Sequence, residues 1–221
     1  MEGYTVYISG QIGSGKTTII KKILKEIPNS SAIKTPEDFS PGLLKILYDE
    51  NKKENITSQK IIEFGLNCYE NQLICFKERV RILERTPLEE VEVFARLWLQ
   101  HGRITQNSFD NYKEIATKMM RKFGLTGLSL EEARCLSVPF LDNRDAANEV
   151  KRIIEEDLAA GIKQRVIFLR HHDVHDQFEW LRAKNSSMDE SKGFSRYIHP
   201  DIYKANMIYE TLIDQGKYFK K

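Results

Sequence analysis

Residues 4–24 read Tyr4-Thr5-Val6-Tyr7-Ile8-Ser9-Gly10-Gln11-Ile12-Gly13-Ser14-Gly15-Lys16-Thr17-Thr18-Ile19-Ile20-Lys21-Lys22-Ile23-Leu24. The first five are β-branched or aromatic, the chemistry of a buried strand. Gly10 to Thr17 satisfies the pattern GxxxxGK[ST], and from Thr18 onward apolar residues recur at helical spacing. Glycines let the backbone turn tightly and aim successive N–H groups into a concave anion nest, while the following helix presents its positive end to the same phosphates. Lys16 is expected to reach the β- and γ-phosphates of a nucleotide, and Thr17 to offer its hydroxyl to Mg²⁺. The donor-binding set predicted from this loop is Gly10, Gln11, Ile12, Gly13, Ser14, Gly15, Lys16, Thr17 and Thr18.

Working outward, Ser31-Ala32-Ile33-Lys34 reads as a second strand, closed by Thr35-Pro36 because proline donates no ladder hydrogen bond and extends its predecessor. A short helix is expected after Pro41-Gly42, and apolar residues recur at helical spacing from about Thr57 to Lys77. Val80-Arg81-Ile82-Leu83 and Arg165-Val166-Ile167-Phe168-Leu169 are the third and fourth strands. Strands alternating with helices imply crossover connections, hence a parallel sheet covered on both faces. The fold class is therefore α/β: a P-loop three-layer sandwich with a sheet of four to five parallel strands. In such sheets the ligand lies at the carboxyl ends of the strands, so residues following Ile8, Lys34, Leu83 and Leu169 should converge on one site. The stretch 124–161 reads as a helical insertion, with a helix signal from Ser129 to Leu136 capped by Ser129 ahead of Glu131 and Glu132, then a charged helix from about Arg144 to Ala160. No fifth strand is readable after the helix around Tyr203 to Ile213. The chain is expected to form a single domain over 1–221.

Composition excludes several classes. The 221 residues carry a net charge of +2, 41% apolar and 30% charged residues, which describes a soluble globular chain with no basic bias toward nucleic acid. Charged residues interrupt every apolar run well before the roughly 18 residues needed to span a membrane. The start lacks a secretory pattern, and three cysteines with no CxxC pair suit a reducing compartment, so a cytoplasmic location is expected. His171 to Asp176 clusters His and Asp, but it reads as a helix start rather than a metal site, because no second cluster supplies further ligands.

The third strand runs into Glu84-Arg85-Thr86-Pro87-Leu88-Glu89-Glu90, followed by Val93-Phe94-Ala95, and later by Gly102-Arg103-Ile104 to Tyr112. Glu-Arg-Thr, an acid a few residues on and a Val-Phe helix resemble the deoxynucleoside kinase family. The resemblance implies an ATP- and Mg²⁺-dependent kinase that phosphorylates the 5′-hydroxyl of a deoxynucleoside in nucleotide salvage. It implies that Arg85 contacts the 5′-oxygen and the transferring phosphoryl, a role suited to a permanently charged, forked guanidinium. Glu90 matches the family acid that positions substrate or a neighbouring arginine. A lid over 182–196 is implied, with Arg182 and Lys184 clamping donor phosphates and Glu190 holding the sugar 3′-hydroxyl. Tyr48, Tyr69 and Gln72 fall where sugar and base contacts are expected, although for the aromatics a core position is at least as natural. The resemblance also implies a homodimer, through helices near Pro87 to Gln100 and Asn107 to Lys122.

One departure concerns the base. Family members end the second strand with Glu-Pro, whereas this chain reads Thr35-Pro36-Glu37-Asp38. Glu37 or Asp38 could take the 5′-hydroxyl proton from a displaced loop, and Glu84 is a third candidate. Two other readings stand beside the kinase: a nucleoside monophosphate kinase of the thymidylate type, and a nucleotide-binding module or inactive relative.

Overall fold

The computed structural model describes residues 3–11, 13–33, 55–75, 77–122, 134–138, 143–171, 177 and 203–209. Strand β1 (Tyr4–Gly10) leads into helix α1 (Lys16–Glu26), and β2 (Ser30–Ile33) follows. Helix α2 (Asn55–Cys75) precedes β3 (Val80–Glu84). Helix α3 starts with one α-helical turn at Pro87–Glu89, widens over Glu90–Ala95, where the Arg96 N–H reaches back five residues to the Val91 carbonyl, and returns to α geometry over Arg96–Gln100. Then come α4 (Gln106–Lys122), β4 (Arg134–Val138), α5 (Asn143–Ala159), β5 (Gln164–His171) and a helix through residues 203–209, here α6.

The five strands form one sheet in the order β2-β3-β1-β5-β4, and every pairing is parallel. All seven residues of β1 are buried, because the strand lies mid-sheet with helices on both faces. Side chains alternate across a strand, so Tyr7, Leu83, Val166 and Phe168 face one core with α2, α3, α4 and α6, while Val6, Ile8, Ile82, Ile167 and Leu169 face the other with α1 and α5. This is the expected three-layer arrangement. Each of the fully buried isoleucines contributes about 1.5–3 kcal/mol relative to exposure.

The reading of 124–161 needs correction. It is not wholly helical: Arg134–Val138 is a strand, paired in register with Ile167 to His171 of β5. Its local signal is weak because one charged, one thiol and one hydroxyl residue interrupt the apolar pattern. The pairing with β5 decides its state, and that contact is about thirty residues away in sequence. The fifth strand therefore exists upstream of β5, and α5 is the crossover that joins the two. The short helix expected after Pro41, the capping segment at Ser129 and the His171 to Asp176 cluster beyond His171 lie outside the described residues.

At the end of the sheet remote from Gly10, a buried ion pair locks β1, α5 and β5 together. Arg165 places Nε 2.7 Å from Asp157 Oδ2 and a second nitrogen on Oδ1, and the Tyr4 hydroxyl donates to the same carboxylate at 2.7 Å. Burial, then the hydrogen bond to Asp157, pushes the Tyr4 hydroxyl far above the ordinary phenol range, so it remains a donor. No described helix is long and apolar enough to cross a membrane.

Candidate active site

The site is assembled where β1, β3 and β5 end. Gly10 (φ 142°), Gly13 (φ 81°) and Gly15 (φ 80°) adopt backbone conformations that side-chain-bearing residues rarely take, which folds the loop around its own N–H groups. Gly10 also has a steric reason to be glycine: a Cβ there would sit 2.3 Å from the Leu169 carbonyl oxygen of β5. That oxygen already accepts the Gln11 N–H at 3.1 Å, so the loop is pinned to the neighbouring strand as it leaves the sheet. Gly15 caps α1 with no side-chain partner for the first-turn N–H groups, leaving the helix's positive end to an anion.

Lys16 is buried, and its Nζ donates to the Gly10 and Gln11 carbonyls at 3.0 and 2.9 Å. The ammonium is thus folded back onto the carbonyls of its own loop. The Ser14 hydroxyl is buried inside the loop without a hydrogen-bond partner among the described residues. The exposed Thr17 hydroxyl donates to Glu84 at 3.0 and 3.2 Å from the two carboxylate oxygens. A hydroxyl beside a carboxylate, both oxygen donors next to a phosphate nest, matches what a hard divalent cation such as Mg²⁺ requires.

Glu84 ends β3 opposite Ile8, and Arg85 turns the chain away with φ 71°, the left-handed region that a non-glycine residue enters only when held there. Two contacts hold it: the Arg85 N–H bonds the Ile8 carbonyl at 3.2 Å, and the Tyr69 hydroxyl donates to the Glu84 carbonyl at 3.0 Å. The guanidinium lies over the Phe94 ring, 4.5 Å from its centroid. Thr86 then starts α3, accepting the Glu89 N–H at 3.0 Å, with Pro87 at the first helical position.

Thr17 of the loop helix, Glu84 and Arg85 are therefore neighbours at this end of the sheet. Tyr69, read as a substrate contact, is instead fully buried behind the strand end, with its hydroxyl on the Glu84 carbonyl. Burial, then the nearby Glu90 carboxylate, pushes that phenol well above its ordinary range, so it stays a neutral donor. Its role is to hold the Glu84–Arg85 turn. Gln72 is half-buried on α2 and sends its amide to the Cys68 carbonyl one turn back, at 3.1 Å. Glu90 is half-buried on the first turns of α3. Ile12, Glu37, Tyr48, Arg182, Lys184 and Glu190 lie outside the described residues, as does the lid segment 182–196.

Sequence reasoning misses one residue. Of the adjacent pair, Glu89 and not Glu90 is fully buried, and it accepts from Ser9 and Tyr209. Adjacent residues on a helix point about 100° apart, and the Glu-Glu pair offers no sign of which one faces inward. The Thr86-x-x-Glu89 capping spacing is the available signal. Further along α3, Glu92 is buried between Arg96 and Lys113, the latter at 2.7 Å. Burial alone would raise its pKa, but the hydrogen bonds from Lys113 and Arg96 hold the carboxyl below its ordinary value.

Residues 6–130, more than half of the chain, match the family model described as deoxynucleoside kinase. The chain is similar over 83% of its length to a deoxyadenosine kinase from M. mycoides whose structure holds the products dCMP and a flexible dCDP; the match covers 98% of that chain, with 19% identity and a TM-score of 0.42. An alignment 136 positions long, covering 58% of the chain, is 24% identical to the mitochondrial 2-methylisocitrate lyase ICL2 of Saccharomyces cerevisiae, of which it spans only 23%.

Proposed function

The chain belongs to the deoxynucleoside kinase family, and we propose that it transfers the γ-phosphoryl of ATP to the 5′-hydroxyl of a deoxynucleoside, with Mg²⁺. The observation that carries this reading is the convergence of the glycine nest, Lys16, the Thr17–Glu84 pair and Arg85 at one end of the sheet.

In this reaction the 5′-oxygen bonds to the γ-phosphorus, the bond from that phosphorus to the β–γ bridging oxygen breaks, and the hydroxyl proton passes to a base. Mg²⁺ held by Thr17 and Glu84 would neutralise charge on the β- and γ-oxygens. Backbone N–H groups of the loop bind and orient the donor phosphates, with the Ser14 hydroxyl available to them. Lys16 would exchange carbonyl partners, those of Gly10 and Gln11 among them, for phosphate oxygens, a favourable trade because ion pairs replace ion–dipole contacts. Arg85, steered by its left-handed backbone and by Phe94, supplies a fixed positive charge to the reacting oxygens. Glu84 is engaged by Thr17, which favours a metal-side role over that of base and leaves Glu37 or its neighbour Asp38 as the proposed proton acceptor. A base at this step is worth roughly 10²–10⁴-fold, so positioning and charge neutralisation carry most of the rate. Arg182, Lys184 and Glu190, with Tyr48, are proposed to complete the donor and sugar contacts. A cytoplasmic homodimer is part of the same proposal, with the exposed Ile115 on α4 as one candidate contact.

The test uses γ-labelled ATP, Mg²⁺ and, in parallel, the four deoxynucleosides and their monophosphates. Label on a deoxynucleoside is expected, and its loss in Lys16→Ala. Label on a monophosphate alone would reassign the chain to the monophosphate kinases. Saturable ATP binding without transfer to either class would make it a nucleotide-binding module.

A further inference from the structure

Beneath the loop, the proposed reaction leaves one buried carboxylate without a task. Glu89 is 0% exposed. Its Oε2 accepts from Ser9 Oγ at 2.7 Å and its Oε1 from the Tyr209 hydroxyl at 2.5 Å. Three chain segments meet there: the end of β1 just before the phosphate loop, the first turn of α3 a few residues after Arg85, and α6. Packing around the carboxylate ties the same segments together. Ser9 stands in register with Phe168 of β5, and the Phe168 ring meets that of Tyr209 with centroids 5.4 Å apart at 60°. Three residues back on the same face of α6, the buried Asn206 donates to the buried Gln177 at 2.7 Å, a second anchor for the helix.

Burying a carboxylate is costly unless it is fully hydrogen-bonded, and an apolar side chain would stabilise this position more cheaply. A group that accepts two hydroxyls at once does something an apolar residue cannot, which is to set the distance and angle between the segments that carry them. We propose that Glu89 is a positioning residue of the transfer site: through Ser9 it fixes the exit of β1 into the phosphate loop, and through Tyr209 it ties that exit to α6. This rests on the kinase reading for its catalytic consequence. Phosphate loops act by placing N–H groups within a fraction of an ångström, so a loosened junction should weaken donor handling while leaving the fold intact.

The test compares Glu89→Gln, Tyr209→Phe, the double variant and Tyr4→Phe. Glutamine keeps the shape of glutamate, and Tyr209→Phe removes a single oxygen. Tyr4→Phe deletes an equally buried tyrosine-to-carboxylate hydrogen bond at the opposite end of the sheet and serves as the stability control. Each protein is assayed for thermal midpoint, for affinity toward a fluorescent ATP analogue, and for kcat and KM with ATP and with nucleoside. Tyr209→Phe and Glu89→Gln are expected to lose about tenfold in ATP-analogue affinity and in kcat/KM for ATP, with nucleoside KM changed less than about twofold. The double variant should be no worse than the poorer single, since both cut one link. Tyr4→Phe should lower the thermal midpoint and leave ATP parameters unchanged. The proposal is overturned if Tyr209→Phe behaves like Tyr4→Phe. Should the wild-type protein transfer phosphoryl to no nucleoside, the kinase reading fails on that result alone, and the ATP-analogue titration still decides the role of Glu89.

Discussion

Gly10→Ala should be strongly damaging, and its effect can be worked from two separate terms. The first is backbone: φ of 142° is accessible to glycine and strained for alanine, at about 1–2 kcal/mol. The second is contact. The added Cβ would lie 2.3 Å from the Leu169 oxygen and 2.8 Å from the Leu169 nitrogen, inside the 3.0 Å that such carbons keep, and both are main-chain atoms of β5. Relief requires β1 and β5 to part locally. That strains the Gln11-to-Leu169 hydrogen bond and its neighbour in the ladder, worth about 1 kcal/mol each. The sum is about 3–4 kcal/mol, a large share of the roughly 5–15 kcal/mol that holds a domain together.

Gly102→Ala is the comparison without a clash: its φ of 67° lies in the left-handed region and nothing lies within 4 Å of where its methyl would stand, so it should lose only about 1–2 kcal/mol. Urea unfolding followed by far-UV circular dichroism measures both. In thermal scans the difference corresponds to several degrees, at about 2–4 °C per kcal/mol for a domain of this size. Equal stability of Gly10→Ala and Gly102→Ala would refute the reasoning, because it would mean that β5 yields to the methyl without loss.

Two further outcomes follow from the same geometry. Arg85 occupies the left-handed region, so Arg85→Gly should be about 1 kcal/mol more stable than Arg85→Ala in urea titrations, while both lose phosphoryl transfer through loss of the guanidinium. Glu92 has a depressed carboxyl pKa in the folded state. Its contribution is therefore present above the unfolded value of about 4.3 and disappears as pH falls through the folded pKa. Glu92→Gln should cost about 1 kcal/mol at pH 7, a modest figure because Arg96 and Lys113 remain 35% and 43% exposed. Stability measured from neutral pH downward should show the gap between the two proteins shrink as pH falls from the unfolded value through the lowered folded pKa; a gap independent of pH would exclude the ion-pair account.

Much of the scaffold was legible because its signals are local. Tyr4 to Ile8 and Val166 to Leu169 are continuous runs of apolar, aromatic or β-branched residues, and Val80 to Leu83 is one broken only by Arg81; a two-sided parallel sheet favours such runs, and all three lie in strands of the sheet. The loop was legible for a different reason. Glycines at fixed spacing ahead of Lys16-Thr17 are imposed by backbone geometry, and the positive φ values at Gly13 and Gly15 are that requirement made visible. Strand β4 was not legible, since Arg134-Cys135-Leu136-Ser137-Val138 becomes extended only by pairing with β5. The widened turn of α3 was equally hidden, because hydrogen bonds five residues apart leave no compositional mark.

For the site, residue order alone determined that a phosphate nest, a following Lys-Thr pair and a Glu-Arg strand end exist, because each is written within a few consecutive residues. Tertiary structure decided which groups face one another. It joined Thr17 to Glu84 across 67 positions and Ser9 to Glu89 across 80, and it turned Tyr69 from an expected ligand contact into the support behind Arg85. Between neighbouring glutamates 89 and 90, composition is the same and only the capping spacing from Thr86 separates them. Only the rotation of a helix against a sheet, set by packing of distant apolar side chains, buries one and leaves the other partly exposed.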